Sequence, residues 1–298
     1  MTELRAITAE EFAAIAPVVE KYGITKAENC LRFIDPQWDK TYDVWLLEGE
    51  KGKLILKKDK KRRGDKTVYD AYFAGHDFAV PKILDAAELG NDLYVVMEYA
   101  EGEDARGCSE KDAARIGKEL ARIQSEYLQT GGNEERIQRY FTVYVEEYWD
   151  KVKGFFQDGE RAFNIVRERF FAAPRTLVHD DLLPLNVLVD GTQIRIIDWE
   201  TAEIFPYFLD LARFAFVGGK DSFYISHDSA TAFLNAYYEE MQEKSAFSFT
   251  KQAFLRDVAV SAFCQYAMFL SYANAETIED TEDYKYLFEI IDYLNRTK

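Results

Sequence analysis

The first hundred residues alternate between apolar runs and polar turns, a pattern that predicts short strands accompanied by helices. Thr8 and Glu11 form a capping-box pattern before apolar residues at helical spacing, so a first helix is expected to end near Gly23. Strands are expected around residues 30–34, 42–47, 53–57 and 93–99, and a second helix around 68–73. This order predicts a small antiparallel sheet.

Helical spacing of apolar residues dominates the remainder of the chain. Ser109 precedes a stripe formed by Ile116, Leu120 and Ile123, which predicts a capped helix. Further helices are expected around residues 134–155, 230–238, 254–272 and 284–294. Strands followed by many helices indicate an α+β protein.

A predicted β-hairpin lies at the centre of the chain. Its strands are expected at residues 187–189 and 194–197, and Asp190-Gly191 between them is a strong signal for a two-residue turn. Because a hairpin reverses the chain, its entry and its exit lie on the same side. The side chains at these two positions are therefore expected to lie close together.

Asn186 enters this hairpin, Asp198 leaves it, and Asp181 lies on the polar loop that precedes it. Phosphoryl transfer requires hard oxygen ligands for Mg²⁺ and a carboxylate that orients and deprotonates the attacking hydroxyl. In that chemistry Asn186 and Asp198 would bind the metal, and Asp181 would be the catalytic base. Asp180 competes for the role of base, but the His-x-Asp-x-x-x-x-Asn spacing that starts at His179 selects Asp181.

Residues 177–200 resemble the aminoglycoside phosphotransferase and choline kinase family. The family's loop commonly has the sequence His-Gly-Asp-x-x-x-x-Asn, and its metal-binding segment has the sequence Ile-Asp-Trp-Glu. This chain has His-Asp-Asp at 179–181 and Ile-Asp-Trp-Glu at 197–200, and Pro206 and residues 209–213 also follow the family pattern. The specificity of the resemblance lies in the combination of these motifs.

The resemblance implies a fold and an activity. The fold would be α+β and bilobal, like that of protein kinases, with a small antiparallel N-terminal lobe and a larger, mainly helical C-terminal lobe. Residues 1–100 would form the nucleotide-binding lobe and residues 101–298 the catalytic and substrate-binding lobe. The implied reaction is transfer of a phosphoryl group from ATP, or another nucleoside triphosphate, to the hydroxyl of a small molecule, with Mg²⁺ as cofactor.

The resemblance also assigns a lysine to the triphosphate. The strand around residues 54–58 is similar to the family strand that carries this cation, and Lys57 fits the spacing better than Lys58. The family usually has a glutamate on the next helix to pair with the lysine, but residues 51–87 contain none. Asp65 or Asp70 could replace it, and the sequence leaves both open.

Further roles are implied by the same resemblance. Backbone groups of Glu98 and Ala100 would bind the adenine edge, because exposed main chain offers a donor and an acceptor in a row. His179 could be a base or a buttress of the loop, and the resemblance favours the buttress. Asp210 resembles the acid that anchors the catalytic loop, a structural role. No glycine lies between Leu31 and Leu47, whereas kinases usually have glycines in the corresponding phosphate-binding loop.

Net charge, cysteine content and the apolar stretches indicate which partners and which cellular compartment to expect. The net charge of −16 disfavours nucleic acid and suits a cationic substrate. Cys30, Cys108 and Cys264 are widely spaced, with no disulfide or zinc pattern, so a reducing cytoplasm is expected. The apolar stretch at 262–273 is interrupted by Gln265 and is too short for a bilayer, so no membrane association is expected.

Two functions of different classes remain open at this point. The first is a kinase for a small acceptor that can be cationic, with an amine-bearing alcohol or aminosugar as first choice and a sugar, amino-acid alcohol or fructosamine-type acceptor as alternatives. The second is a catalytically weak or inactive nucleotide sensor or scaffold on the same fold. The glycine-poor first loop favours the second function. Asp181, Asn186 and Asp198 together favour the first.

Overall fold

The computed structural model describes residues 3–36, 39–50, 52–128, 132–215, 225–244 and 247–297. Its contacts divide the chain into two compact units. The N unit contains residues 1–102 together with 195–201, and the C unit contains residues 103–194 and 202–298. Helices and strands are numbered in chain order. The functions predicted for the two lobes stay predictions.

A six-stranded antiparallel sheet with the order β1-β2-β3-β4-β6-β5 forms the centre of the N unit. Helix α1 packs its apolar side against this sheet, where Ile15 and Val19 join Leu47 and Leu56 in one buried cluster. The elements are β1 Glu3–Ala6, α1 Ala9–Val19, β2 Cys30–Asp35, β3 Lys40–Gly49, β4 Gly52–Asp59, α2 Asp65–Val68, β5 Ile83–Leu89 and β6 Asp92–Glu98.

Local sequence signals account for the start of this unit. Thr8 and Glu11 make both hydrogen bonds of the predicted capping box, and the chain leaves the helical segment at Gly23, whose φ of +79° suits glycine. The predicted strands are present, and the predicted second helix begins earlier than expected, at Asp65. Leu56 and Lys57 lie on opposite faces of β4, so burying Leu56 in the core directs Lys57 to the other face.

The C unit is mainly helical, which together with the sheet of the N unit confirms the α+β fold class. Ser109 caps α3 through the N–H of Asp112, and a Cβ at Gly117 would lie 2.3 Å from the carbonyl oxygen of Phe233 in α8, so α3 and α8 approach closely there. The helices are α3 Glu110–Glu126, α4 Glu134–Phe141, α5 Glu147–Val152, α6 Gly159–Ala172, α7 Leu209–Ala215, α8 His227–Glu243, α9 Lys251–Leu270 and α10 Glu282–Arg296.

Short strands frame the polar central loop. Strand β8, Arg175–Val178, pairs with β11, Glu203–Pro206, and β9, Val187–Val189, pairs with β7, Glu103–Asp104. The loop of residues 179–186 therefore begins and ends on paired strands. Strand β10, Ile194–Ile196, follows β9 as predicted and crosses the division between the units.

The turn before β10 differs from the expectation by one position. The N–H of Asp190 donates to the carbonyl of Gln193, at 3.2 Å, so Gly191 and Thr192 are the central residues. The carboxylate of Asp190 accepts the N–H groups of Thr192 and Gln193. An aspartate whose side chain accepts these N–H groups occupies the first position of a turn. Asp190 is therefore the first residue of this turn, and Gly191 is the second.

Helix α9 is longer than the apolar stretch seen in the sequence. It has the length and composition of a membrane span, but 61% of its apolar segment is buried inside the protein. Its Asp257 accepts hydrogen bonds from Arg169 and Tyr207, both at 2.8 Å. These features fit an interior helix of the C unit, and the expected lack of membrane association stays a prediction.

Candidate active site

In the N unit, three carboxylates converge on Lys57. Its Nζ lies 2.5 Å from Oδ2 of Asp65, 2.5 Å from Oδ1 of Asp198 and 3.3 Å from Oε2 of Glu200. The Lys57 side chain is only 15% exposed. Although burial opposes its charge, Asp65 and Asp198 raise the pKa of Lys57 above its ordinary value. The lysine is therefore a fixed buried cation, held by Asp65 at the start of α2 and by Asp198 and Glu200 in the segment after β10.

The two alternatives left open by the sequence are now distinguishable. Lys58 forms a half-exposed ion pair with Asp92, and Asp70 pairs with Lys66 on the outside of its own helix. Neither points to the cluster around Lys57. The partner that replaces the family's glutamate is therefore Asp65.

Asp65 reaches the lysine because the beginning of α2 is held against β4. Oδ1 of Asp59 accepts the N–H of Asp65 at 2.9 Å, and Oδ2 accepts the N–H of Lys66 at 3.0 Å. A Cβ at Gly64 would lie 2.0 Å from Oδ1 of Asp59, so only glycine fits at this position. The short side chain of Asp65 therefore reaches Lys57 because it lies in the first turn of the helix.

Burial changes the pKa of Asp65. Desolvation raises its pKa to about 6, against the opposing attraction of Lys57. The neighbouring pocket, about 240 Å³ with its open mouth, has mainly apolar walls that include Phe73, Val80 and Met97. Apolar surroundings strengthen the ion pairs at their edge.

Asp59, Asp65 and Glu200 also offer oxygens within 4.8 Å of one another, an arrangement that could hold a cation. The oxygens of Asp59, however, accept backbone N–H groups, and the other two acids pair with Lys57 and Lys60. We therefore assign this cluster to helix capping and ion pairing.

The backbone around Asp198 is constrained by its neighbours. Asp198 has a φ of +65°, which for a non-glycine residue is tolerated best by Asp and Asn. The buried Trp199 donates from Nε1 to the carbonyl of Ile196 at 2.9 Å and packs edge-on against Phe73, with ring centres 4.8 Å apart. These contacts fix the segment in which Asp198 faces Lys57.

The two residues predicted to bind adenine lie at the end of the sheet. Glu98 is the last residue of β6, and Ala100 follows it outside any helix or strand. The N–H of Glu98 donates to the carbonyl of Lys82 at 3.0 Å. The Glu98 carbonyl and the Ala100 N–H are the backbone groups that the prediction assigns to the adenine ring. Residues 37 and 38, at the tip of the glycine-poor first loop, lie outside the described residues.

In the C unit, Asp210 anchors the central loop. The N–H of His179 donates to its Oδ2 at 2.9 Å, and the N–H of Asp180 donates to its Oδ1 at 3.0 Å. Gln124, itself bound by the hydroxyl of Tyr237, adds a third donor at 2.9 Å. Burial raises the pKa of Asp210 to about 7, and the N–H donors oppose this shift. These contacts fit the predicted role of a structural support.

His179 is fully buried, and its Nδ1 faces the N–H of Asp181 at 3.3 Å. A ring with no exposed surface has no access to a substrate proton in solution, whereas its contact with the loop backbone supports the loop. The geometry fits the buttress, the alternative that the resemblance favoured.

Asp180 occupies the position at which the family commonly has glycine. Its φ of +68° explains that pattern, because glycine adopts this conformation without cost and aspartate at a small one. Its carboxylate accepts the hydroxyl of Tyr140 at 2.6 Å. Burial raises the pKa of Asp180 to about 6. The departure from the family is therefore accommodated by a buried hydrogen bond.

Asp181 and Asn186 lie together at the end of the loop. Asn186 donates from Nδ2 to the carbonyl of Asp181 at 2.8 Å and lies 3.5 Å from its Oδ2. Oδ1 of Asp181 pairs with Nη2 of Arg213 at 2.7 Å. The Asp181 side chain is 37% exposed, so a solute can reach it. Asp198, the other predicted metal ligand, belongs to the N unit.

Two contacts at these sites are not predictable from the sequence. Arg213 follows the family pattern without an assigned role, and the sequence assigns no role to Glu200. Arg213 lies 32 positions from Asp181, and Glu200 lies 143 positions from Lys57. Neither pair follows a local spacing, so a single sequence contains no signal for them.

Comparison with known proteins gives the following matches. Residues 32–244 match the model of a family described as the phosphotransferase enzyme family. A comparison with proteins of curated function gives no match.

Solved structures share the fold at low sequence identity. A Ralstonia eutropha JMP134 protein, provisionally assigned as an aminoglycoside phosphotransferase, has a TM-score of 0.60 and 16% identity, covering 96% of this chain and 98% of its own. Amicoumacin kinase hAmiN, in complex with AMP-PNP, Ca²⁺ and Ami, has a TM-score of 0.58 and 15% identity, covering 96% of both chains. A choline/ethanolamine kinase family protein from Mesorhizobium loti has a TM-score of 0.54 and 17% identity, covering 97% and 94%. These matches confirm the protein-kinase-like fold.

Proposed function

Because this chain belongs to the phosphotransferase enzyme family, we propose that it transfers the γ-phosphoryl group of ATP to a hydroxyl group of a small molecule. The observation that carries the proposal is the buried Lys57, which Asp65 holds in place beside Asp198. A fixed ammonium neutralises charge on a triphosphate, and a nearby carboxylate binds the metal that accompanies it. Lys57 would therefore bind phosphate oxygens.

The nucleotide base would be read by the backbone after β6. The carbonyl of Glu98 would accept from the exocyclic amine of adenine, and the N–H of Ala100 would donate to a ring nitrogen. The AMP-PNP bound to amicoumacin kinase supports ATP as the donor. Because the main chain makes these contacts, the side chains of Glu98 and Ala100 need no special chemistry.

The donor atoms fit a magnesium ion. The carboxylate of Asp198 and the amide oxygen of Asn186 are hard oxygen ligands, the kind that Mg²⁺ takes in proteins. Such an ion, when bound, neutralises charge on the transferring phosphoryl group.

Asp181 would be the catalytic base. Its carboxylate is accessible and sits on a loop whose backbone is fixed by Asp210 and His179. It would orient the acceptor hydroxyl and take its proton while the oxygen attacks the γ-phosphorus and the bond to the β-phosphate oxygen breaks. ADP and the phosphorylated acceptor would be the products.

We place an amine-bearing alcohol or aminosugar first among acceptors. The net charge of −16 attracts cations. In the C unit the rings of Tyr140, Tyr144, Tyr148 and Tyr272 follow one another at 5.0, 6.5 and 5.8 Å, starting from the tyrosine bound to Asp180. Lys151 already lies over two of them, so these rings can face a cation.

A cytoplasmic location completes the proposal. The three cysteines are all unpaired thiols, two of them buried, which is the state expected in a reducing compartment. We propose neither nucleic acid nor membrane as a partner.

Two measurements test this function. Thermal unfolding with ATP, with and without Mg²⁺, measures metal-dependent nucleotide binding. Release of ADP is then followed over a panel of amino alcohols, aminosugars and neutral sugars. We expect metal-dependent stabilisation and acceptor-dependent ADP release. Stabilisation without ADP release from any acceptor would indicate a nucleotide sensor, and the absence of both would contradict the proposal.

A further inference from the structure

Helix α7 contacts the loop of the proposed base twice. Asp210 in its first turn holds the backbone N–H groups of His179 and Asp180. Arg213, three residues later on the same face of the helix, holds the side chain of Asp181 at 2.7 Å. One rigid element therefore fixes both the loop backbone and the carboxylate that follows it.

Arg213 is held from the far side by helix α9. Its Nη1 donates to Oε1 of Gln265 at 3.1 Å, and its side chain is 19% exposed. Gln265 is the polar residue that interrupts the apolar stretch at residues 262–273, and its side-chain amide accepts the hydrogen bond from Arg213. The guanidinium is thus held between the carboxylate of Asp181 and the amide of Gln265.

Packing alone does not account for an arginine here. The Nε of Arg213 is buried and has no hydrogen-bond partner among the described residues. A buried donor without a partner destabilises the folded protein, and an apolar side chain of similar size would avoid that cost. The charge at this position has to serve another purpose, and the group it faces is the proposed base.

The two oxygens of Asp181 are held unequally. Oδ1 accepts from Arg213 at 2.7 Å, whereas Oδ2 lies 3.5 Å from Nδ2 of Asn186, beyond an ordinary hydrogen bond. A carboxylate fixed by one oxygen keeps the other in a defined direction. Oδ2 is the atom better placed to receive a proton.

We infer that Arg213, seated by Gln265, is a positioning residue for the proposed reaction. It fixes the Asp181 carboxylate so that Oδ2 faces the hydroxyl of the acceptor. The inference rests on the proposed function and adds to it a residue that acts through the base. Arg213 itself touches neither the acceptor nor the phosphates in this role.

The test compares Arg213→Gln, Arg213→Lys and Arg213→Ala with the wild-type protein, using the acceptor found by the ADP-release panel. We expect kcat to fall about 10- to 100-fold in the Gln variant, because a displacement of about 1 Å has effects of that size. The KM for ATP and the Mg²⁺-dependent thermal shift with ATP should stay close to wild type. The Lys variant should retain intermediate activity, and millimolar guanidinium should restore part of the activity of the Ala variant.

Arg296→Gln is the matched control. Arg296 forms an exposed ion pair with Asp292 at 2.8 Å in the same unit, at the end of α10. Its loss should leave kcat unchanged, since an exposed pair contributes little.

Two outcomes would overturn the inference while wild-type transfer stands. The first is an Arg213→Gln variant with wild-type kcat. The second is a loss of kcat that is accompanied by loss of ATP binding and folding, without rescue by guanidinium, which would mark a merely structural residue. If the wild-type protein phosphorylates no acceptor, the proposed function fails and the inference falls with it.

Discussion

The ammonium of Lys57 lies 2.5 Å from the carboxylate of Asp65, in a stretch of chain that contains no glutamate from position 51 to position 87. Asp65 is shorter than the glutamate that the family pattern leads one to expect. The difference is made up by the backbone, because Asp59 holds the first turn of α2 close to β4. Asp65 therefore reaches Lys57 from the first turn of α2.

Replacing Asp65 by Asn tests this ion pair. The variant removes a charged partner from a buried lysine, and hydrogen bonds to charged groups contribute about 1.5–3 kcal/mol. We expect kcat/KM for ATP to fall about 10- to 100-fold. Asp70→Asn is the matched control, since Asp70 lies on the following turn and pairs with Lys66 on its own helix. Equal effects of the two substitutions would show that Asp65 has no special role.

Gly64→Ala tests the support beneath Asp65. The new Cβ would lie 2.0 Å from Oδ1 of Asp59, so the carboxylate must leave the N–H groups that it accepts. Overpacking of this kind costs about 1–3 kcal/mol, and ATP binding should weaken with it. Chemical denaturation and thermal shift measure both effects. Gly154→Ala should be close to neutral, because among the described residues nothing beyond the adjoining chain lies within 4 Å of the new Cβ. Full ATP affinity in the Gly64 variant would contradict the proposed support.

Asp180→Asn tests the buried carboxyl group beside the base. Burial raises the pKa of Asp180 from 3.8 to about 6, so between these values the folded protein binds more protons than the unfolded chain. Its contribution to stability is therefore present below about pH 4 and is lost as the pH rises through about 6. Asparagine has no such titration, tolerates the positive φ and still accepts from Tyr140.

The measured quantity is the free energy of unfolding at pH 4 to 7. Relative to Asp180→Asn, the wild-type protein should lose up to about 3 kcal/mol across this range, at 1.36 kcal/mol for each pKa unit. Asp150→Asn, at an exposed acid paired with Lys153, controls for the removal of a carboxylate from the same unit. A constant difference between the wild-type and Asp180→Asn proteins would contradict the raised pKa.

Local signals in the sequence predicted the elements of the fold well. The capping box at Thr8, the helix capped by Ser109 and the strand of Lys57 all depend on residues close in sequence, and each is found where it was expected. The hairpin turn was displaced by one residue, since the side chain of Asp190 takes the first position of the turn. The α+β class and the kinase-like fold were also predictable.

Long-range partners could not be predicted from one sequence. The choice between Asp65 and Asp70 depends on the direction of a short helix, which Asp59 and Gly64 determine together. The contact of Arg213 with Asp181 depends on where α7 packs in the C unit. No periodicity or spacing contains either fact. The roles assigned to Asp181, Asn186, Asp198, Glu98 and Ala100 stay predictions.

The central claim is that Asp181 deprotonates an acceptor hydroxyl that receives the γ-phosphoryl group of ATP. The most direct measurement is mass spectrometry of the acceptor after incubation with ATP and Mg²⁺, for the wild-type protein and for Asp181→Asn. We predict a phosphorylated acceptor with the wild-type protein. The variant should form it at least about 100-fold more slowly, while its ATP-dependent thermal shift stays the same as that of the wild-type protein. Equal rates for the two proteins, or no phosphorylated acceptor from the wild-type protein, would contradict the account.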